Sequence, residues 1–541
     1  MGDSATTAAT DLVWEAPGPG VWWLTREHFP APVCGLLSAL VPQAITGWAE
    51  GAATYGLATG RSSFEPVNHW PYYSPGDAVD PAAFAVLEAT ARESLDSARW
   101  RAEADRWFGL ERGQLIATNR WIQGTDPAAL DHDHLIEHVE LVVAHFAEVA
   151  AMHFAHAGFD LALGALLEAA EAWGISAVEI VPLLAGSSPA TTAPVRHLRE
   201  IAGALHRAGS TDPSSLDEVR AAAPDAAQAL DAHLATHGLR LVNGHDLLEP
   251  TLVERPGLLL TAIRAALAWP PSDEADGAAE AAAEASLLAR VPAAHQPEWT
   301  ARLADVRRLN ALRDDDGGLC WNWPLGLIRR AVLEVGARLH AAGRLDERDD
   351  LFEADPGEID ALLRGGGPTA AALVDRRRER LLAATVSPPG QLGAPEGAAE
   401  TVELPPSVAR LAAWQQRVWS IDGGSLNADT GGAHRVQGIG IGTGIVRGRA
   451  CVLDGPGAAD RLDVGDILVA VATTSSHNAM FPIAAAVATQ EGGRFSHAAI
   501  LAREFGLPAV VGAAGLLALI RDGDEIELDP VAGTVTVLGR A

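Results

Sequence analysis

From about residue 80 to 385, apolar residues recur at the 3.6-residue spacing of amphipathic helices, with breaks at Gly and Pro clusters near 124, 186, 211, 250 and 270. No fixed repeat of solenoid length is present, so this stretch predicts one large, mostly α-helical domain. Ahead of it, residues 11–75 are rich in Trp, Pro and Gly and weak in helical period. Pro30 and Pro32 predict an extended clasp held down by Trp22, Trp23 and Phe29. The stretch from Val386-Ser-Pro-Pro-Gly through Leu404-Pro-Pro reads as extended linker. From Gly438 onward the period shortens to that of strands, at 438–453, 466–471 and 485–489, with a hairpin-like end at 524–537. The expected organisation is a helical domain with its N-terminal clasp over 1–385, a linker over 386–435, and an α/β domain over 436–541.

Charge and composition narrow the function. Seventy acidic against forty basic residues give a net charge of −30, which disfavours a nucleic-acid partner. No apolar run reaches membrane-spanning length, and the opening Met1-Gly-Asp-Ser-Ala-Thr lacks the parts of a signal peptide, so a cytoplasmic protein without membrane partners is expected. The same opening fits a short N-myristoylation pattern, but no basic cluster follows to supply a second anchor. Cys34, Cys320 and Cys451 share no metal or redox spacing. The chain contains no lysine, so it offers no Walker lysine, no Schiff-base lysine and none of the lysines with which ATP-grasp folds hold nucleotide phosphates. GC-rich coding explains scarcity of lysine better than its complete absence.

Two stretches carry candidate chemistry. On the helix expected over 131–157, His134, His138, His145, His153 and His156 project onto one face. Three readings of that stripe stand open: a metal pair at His134 and His138, an imidazole-lined substrate cavity in which His138 and His145 hold an acceptor, and hydrogen-bonded structural histidines. The second stretch runs from Glu491-Gly-Gly-Arg-Phe-Ser-His to Gly512. Gly492, Gly493 and Ser496 lead into a short apolar-periodic segment, putting His497 on the first turn of a helix with Ser496 at its N-cap. A phosphoryl group on that imidazole would meet unpaired backbone N–H groups and the positive end of the helix dipole.

The stretch from Glu491 to Gly512 resembles the phosphohistidine signature of the swivelling domain of phosphoenolpyruvate-utilising enzymes, such as phosphoenolpyruvate synthase and rifampin phosphotransferase. Three further stretches resemble their acceptor-binding region. The first is Trp23 followed by Arg26-Glu-His-Phe-Pro-Ala-Pro32. The second is Thr236 to Pro256, with His237 and Leu239 where relatives carry Tyr and His. The third is the helix from Trp321 with Asp349-Asp-Leu-Phe352 after it. In the swivelling domain, Ser475-Ser-His-Asn-Ala replaces the usual continuation after Thr473-Thr474, and Gln490 stands where Glu is usual.

The resemblance implies a β/β/α swivelling phosphohistidine domain after the helical domain, with His497 as phosphoryl carrier assisted by Ser496, Gly492 and Gly493. It implies contacts from His28 and Arg240 to a small hydroxylated acceptor, with His477 near enough to the carrier site to assist and His138 and His145 added by the cavity reading of the stripe, although Arg240 could simply pair with Asp246 or Glu254. No stretch resembles an ATP-grasp module or a phosphoenolpyruvate-binding barrel. The expectation is therefore a split phosphotransferase with no metal or cofactor of its own, loaded by a separate ATP-grasp protein that holds ATP and Mg2+. Two alternatives remain: a descendant that only binds a ligand, and an antibiotic-modifying fragment.

Overall fold

The computed structural model describes residues 12–541 except 27, 77–78, 185, 269–275, 394–402, 423–433 and 495. Met1-Gly2 and residues 394–402 and 423–433 of the expected linker therefore lie outside the described residues. The architecture is a large helical part followed by an α/β sheet domain.

In the helical part, the helices Gly35–Ala44, Thr46–Tyr55, His132–Ala155, Gly158–Glu171, Gln296–Asp316 and Trp323–Ala341 surround one apolar core. Close approach of two of them depends on glycine. A methyl group at Gly47 would stand 1.9 Å from the Ala151 carbonyl oxygen, so any side chain there would force the helices apart. Two elements depart from the reading of the N-terminal stretch. Helices form at Gly35–Ala44 and Thr46–Tyr55 within the region expected to be extended, because Leu36, Leu37, Leu40, Val41 and Ala44 make an apolar face that the core buries. The clasp itself is a four-stranded sheet in the order Ser63–Val67, Trp70–Ser74, Trp22–Leu24, Gln391–Leu392. Trp22 is buried in it and Phe29 in the helical core, whereas Trp23 is 45% exposed, since neighbouring residues of a strand face opposite ways.

Part of the linker is also regular. Residues Pro406–Asp422 form a helix rather than an extended stretch, and Val408, Leu411, Trp414 and Val418 join the helical core at period 3.6. The Trp414 side chain packs against Gly164, where a methyl group would come within 2.3 Å of it. This helix fastens the chain to the body before it enters the sheet domain.

The C-terminal sheet has eight strands in the order Arg435–Gln437, Thr534–Gly539, Glu525–Asp529, Val446–Val452, Ile467–Ala470, Ala486–Thr489, Ala509–Val511, Ile439–Ile441. The four from Val446–Val452 to Ala509–Val511 run parallel, and the rest are antiparallel. The parallel strands read as unbroken apolar runs because both faces are covered.

The sheet domain rests against the body. Met480, Phe481 and Leu501 share an apolar cluster with Leu198, Ile201 and Leu259 of the body helices Pro189–Arg207 and Pro256–Leu267. Within this contact lies a polar latch. The Thr474 N–H donates to His477 Nδ1 (2.9 Å), which leaves Nε2–H to donate to Asn243 Oδ1 of the body (3.1 Å). Asn243 Nδ2 in turn donates to Glu249 Oε1 (2.9 Å) and back to the Gly455 carbonyl of the sheet domain (3.1 Å). At the exposed edge, Arg255 pairs with Asp460 at 3.1 Å.

Two predictions follow from this packing. Trp414→Ala empties a core site and should cost about 3 kcal/mol or more in denaturant unfolding, with the sheet domain's own secondary structure retained. Burial pushes the His477 imidazole down to about 4, from 6.5. Its folded value lies below the unfolded one, so the stability it contributes is complete above about pH 6.5 and lost as pH falls toward 4. Full linkage gives roughly 3 kcal/mol over that window. His477→Gln should flatten the stability-versus-pH curve between those limits, and an unchanged slope would show that the latch histidine is not the titrating group.

Candidate functional site

The parallel strands set the position of His497. Strand Ala486–Thr489 ends in the Gly492-Gly493 loop, which runs into the helix His497–Phe505 and back to strand Ala509–Val511. Thr473 follows the neighbouring strand Ile467–Ala470. Both groups therefore lie beyond the carboxyl ends of parallel strands, where such sheets open a crevice. Gly492 has φ +102°, and a methyl group on it would sit 2.9 Å from the Ser496 side chain, so only glycine suits this turn. Ser496 occupies the N-cap position with extended backbone, as expected. Its hydroxyl does not cap the helix, however, and donates to the Gly493 carbonyl at 2.8 Å. The serine thus closes the loop and leaves the first-turn N–H groups without a side-chain cap.

The His497 ring is partly exposed and has a partner on each nitrogen. Asn478 Oδ1 lies 2.8 Å from Nε2 and the Thr473 hydroxyl 3.0 Å from Nδ1, with the Phe481 ring edge-on at 5.9 Å. With the amide oxygen facing the ring, Nε2–H donates to Asn478 and Nδ1 accepts from Thr473. Hydroxyl and amide can each exchange donor for acceptor, so either nitrogen can present the lone pair. Burial, with the neighbouring His477, Arg313 and His245, holds the imidazole well below its ordinary value, and the ring is neutral at physiological pH.

Arg313 and His245 belong to the body, so the carrier-type histidine faces the helical part. His245 packs edge-on to Trp321 (5.9 Å) and Phe29 (6.1 Å) and lies 6.2 Å from His28. Its Nδ1 pairs with Asn322 Oδ1 at 3.2 Å, and burial pushes it down to about 3. Trp321 and Asn322 come from a buried π-helical turn, Gly317–Asn322, and both meet the His245 ring. His28 is exposed at the rim, which it lines together with Pro30, Asn243, Gly244, Thr474 and His477.

The remaining expected residues fall elsewhere. His138 is buried in the core with Nε2 lacking a hydrogen-bond partner among the described residues, and His145 Nε2 pairs with Asn119 Oδ1 at 2.7 Å. Burial lowers both below their ordinary value. At the end of the stripe, His153 and His156 meet buried Asp316 at 3.2 and 2.8 Å, while His134 pairs at the surface with Asp131. The stripe is thus divided among surface, core and an ion-paired cluster. Arg240 pairs with neither Asp246 nor Glu254. Glu254 is taken by Arg329, and Asp246 accepts from the Cys34 and Leu248 N–H groups. Arg240 is instead buried over the Trp323 ring with Asp315 as its favourable charge, because the backbone at 238–241 packs against the Trp323–Ala341 helix. His477 serves the latch. Gln490 accepts from the Leu517 N–H (3.2 Å), an anchoring role that leaves the Glu-to-Gln change without a part in the crevice.

Sequence reasoning passed over His245, Asn243, Asn478, Arg313 and Trp321. Each is unremarkable among its neighbours in the chain, and only the tertiary fold brings them together. A Thr-Thr pair preceding the Asn, and the Gly-His-Asp string, were the available signals.

Residues 462–533 match the mobile domain of PEP-utilising enzymes, and residues 147–314 match the rifampicin phosphotransferase fourth domain. An uncharacterized protein of Mycobacterium tuberculosis is 37% identical over 214 residues, covering 39% of this chain and 22% of its own length. A rifampicin phosphotransferase of Streptomyces sviceus is 28% identical over 350 residues, covering 61% of this chain and 37% of its own. An uncharacterized phosphotransferase of Bacillus subtilis is 28% identical over 210 residues, or 39% and 24%. The chain thus matches a fifth to two-fifths of the length of these relatives. Among the described residues no helix is long and apolar enough to cross a membrane. In both of its parts, the chain is similar to the phosphoenolpyruvate-utilising enzymes of the rifampicin phosphotransferase type.

Proposed function

We propose that this chain is the carrier and acceptor-binding part of a phosphotransferase. On this reading His497 takes a phosphoryl group from ATP held with Mg2+ on an ATP-grasp protein, and passes it to a hydroxyl of a small molecule in the crevice. In the first step the ring nitrogen's lone pair attacks phosphorus and the nucleotide oxygen leaves with the bonding pair. In the second the acceptor oxygen attacks, the P–N bond breaks with its pair returning to the ring, and the hydroxyl proton passes to a base. Phosphoryl transfer asks mainly for positioning and charge stabilisation, for which the helix N-terminus and the nearby Arg313 are suited.

The observation that carries the proposal is the setting of His497: a neutral ring on the first turn of a helix, facing body residues His245 and Arg313. The lysine-free composition supports an outside phosphoryl donor, because these 541 residues lack the lysines that ATP-grasp folds use. An antibiotic, as in the name of the Streptomyces sviceus relative, is one acceptor of the required chemistry.

Incubation with γ- and β-labelled ATP alone should leave His497 unmodified, and adding an ATP-grasp protein of this family should produce an acid-labile, base-stable phosphate. His497→Ala should abolish that label completely, and Thr473→Val should lower the labelling rate at least tenfold. Label on His497 without the second protein would refute the outside donor. Full product formation by His497→Ala would refute the carrier role and favour a ligand-binding protein.

A further inference from the structure

Outside the crevice, three histidines converge on one point. His233 and His237 stand one turn apart on the helix Pro224–His237, and His197 reaches them from the neighbouring helix Pro189–Arg207. Their ring centroids lie 4.9 Å (His233 to His237), 5.8 Å (His197 to His233) and 5.7 Å (His197 to His237) apart. One nitrogen from each ring lies within 4.8 Å of the other two. His233 and His237 are 2% and 7% exposed, and His197 is half-buried.

Both nitrogens of His233, Nε2 of His237 and Nδ1 of His197 are buried, with no hydrogen-bond partner among the described residues. Buried polar atoms ordinarily have partners, and three rings that each bring an orphaned nitrogen to one place call for one. We propose that His197, His233 and His237 bind a single divalent transition-metal ion of the zinc type.

The chemistry of the donors selects the ion. Three neutral imidazoles suit zinc and its neighbours, whereas magnesium and calcium require oxygen ligands. Zinc–nitrogen bonds of 2.0–2.1 Å in a tetrahedron put nitrogens about 3.4 Å apart, so side-chain rotations of about 1 Å at the ring tips complete the site. Burial lowers all three imidazoles, His233 to about 3, so no proton has to be displaced near neutral pH. The opposing charge is buried Arg240, which faces His233 and His237 and is itself balanced by Asp315. That arrangement favours an anionic or water ligand at the fourth position, on the open side of His197.

The site also has a place in the working of the molecule. The His197 helix touches the 475–479 turn of the sheet domain, and His237 directly precedes the segment that delivers Asn243 and His245 to the crevice. A metal here ties together the two body helices behind the docking face.

The test uses the full chain, stripped with a chelator and titrated with Zn2+ against a chromophoric competitor. One tight equivalent is expected, together with a rise in thermal midpoint. His233→Ala and His237→Ala should lose both, and a double His134→Ala/His138→Ala variant should lose neither. Should His233→Ala fail to show the native circular dichroism, His197→Gln, at the more open end, should bind Zn2+ at least tenfold more weakly and give an altered Co2+ absorption spectrum. Binding that disappears with His134 and His138, or a wild-type affinity no tighter than that of His197→Gln, overturns the proposal.

Discussion

A histidine that carries phosphate must satisfy two opposed demands. Before transfer it needs a free lone pair, which a desolvated, electropositive setting enforces by keeping the ring neutral. Afterwards it holds a dianionic group, which the same electropositive setting stabilises. On the phosphotransfer reading His497 meets both at once, because burial and the nearby Arg313 cation disfavour the imidazolium while that same cation favours the anion. The helix N-terminus adds uncapped N–H groups on the same side, and Ser496 leaves them available by turning its hydroxyl to Gly493. The geometry of the parallel strands puts this arrangement at the edge of the domain rather than inside it.

Docking follows a similar division. Apolar side chains such as Met480 and Phe481 supply attraction without direction, while the His477–Asn243–Gly455 chain of hydrogen bonds fixes register. Each of those bonds exchanges for water on separation, so each contributes only about 0.5–1.5 kcal/mol to holding the domains together. A polar latch inside an apolar contact therefore specifies one docked pose without making it permanent. A lone buried charge in place of Asn243 would have bound the domains more selectively at a far larger desolvation cost.

The fold was legible wherever the deciding interactions are local. Gly492, Ser496, the apolar period of 498–502 and Pro508 dictate loop, helix and strand within a short window, and the helix begins at His497 as the pattern requires. The helix Pro406–Asp422 was hidden by the Pro-rich residues on its N-terminal side, because its period only matters once Gly164 offers Trp414 a place to pack. The histidine stripe shows the opposite failure. Its spacing is correct for one face, but the partners that decide each role, Asn119 for His145 and Asp316 for His153 and His156, lie on other helices. Convergence of His197 with His233 and His237 is likewise a property of helix packing, and nothing in the separate stretches announces it.

The absence of lysine also constrains the second half of the reaction. Arginine stays charged throughout, so no cation near the crevice can accept a proton from an attacking hydroxyl. On the phosphotransfer reading that task falls to an imidazole or a carboxylate. His245 is poorly suited to it: its Nδ1 is committed to Asn322, and burial to about 3 makes the ring a weak base. His477 is lowered to about 4 and has both nitrogens engaged in the latch. His28, 6.2 Å from His245 and lining a small pocket with His477, is the one of these three imidazoles that stands exposed to solvent.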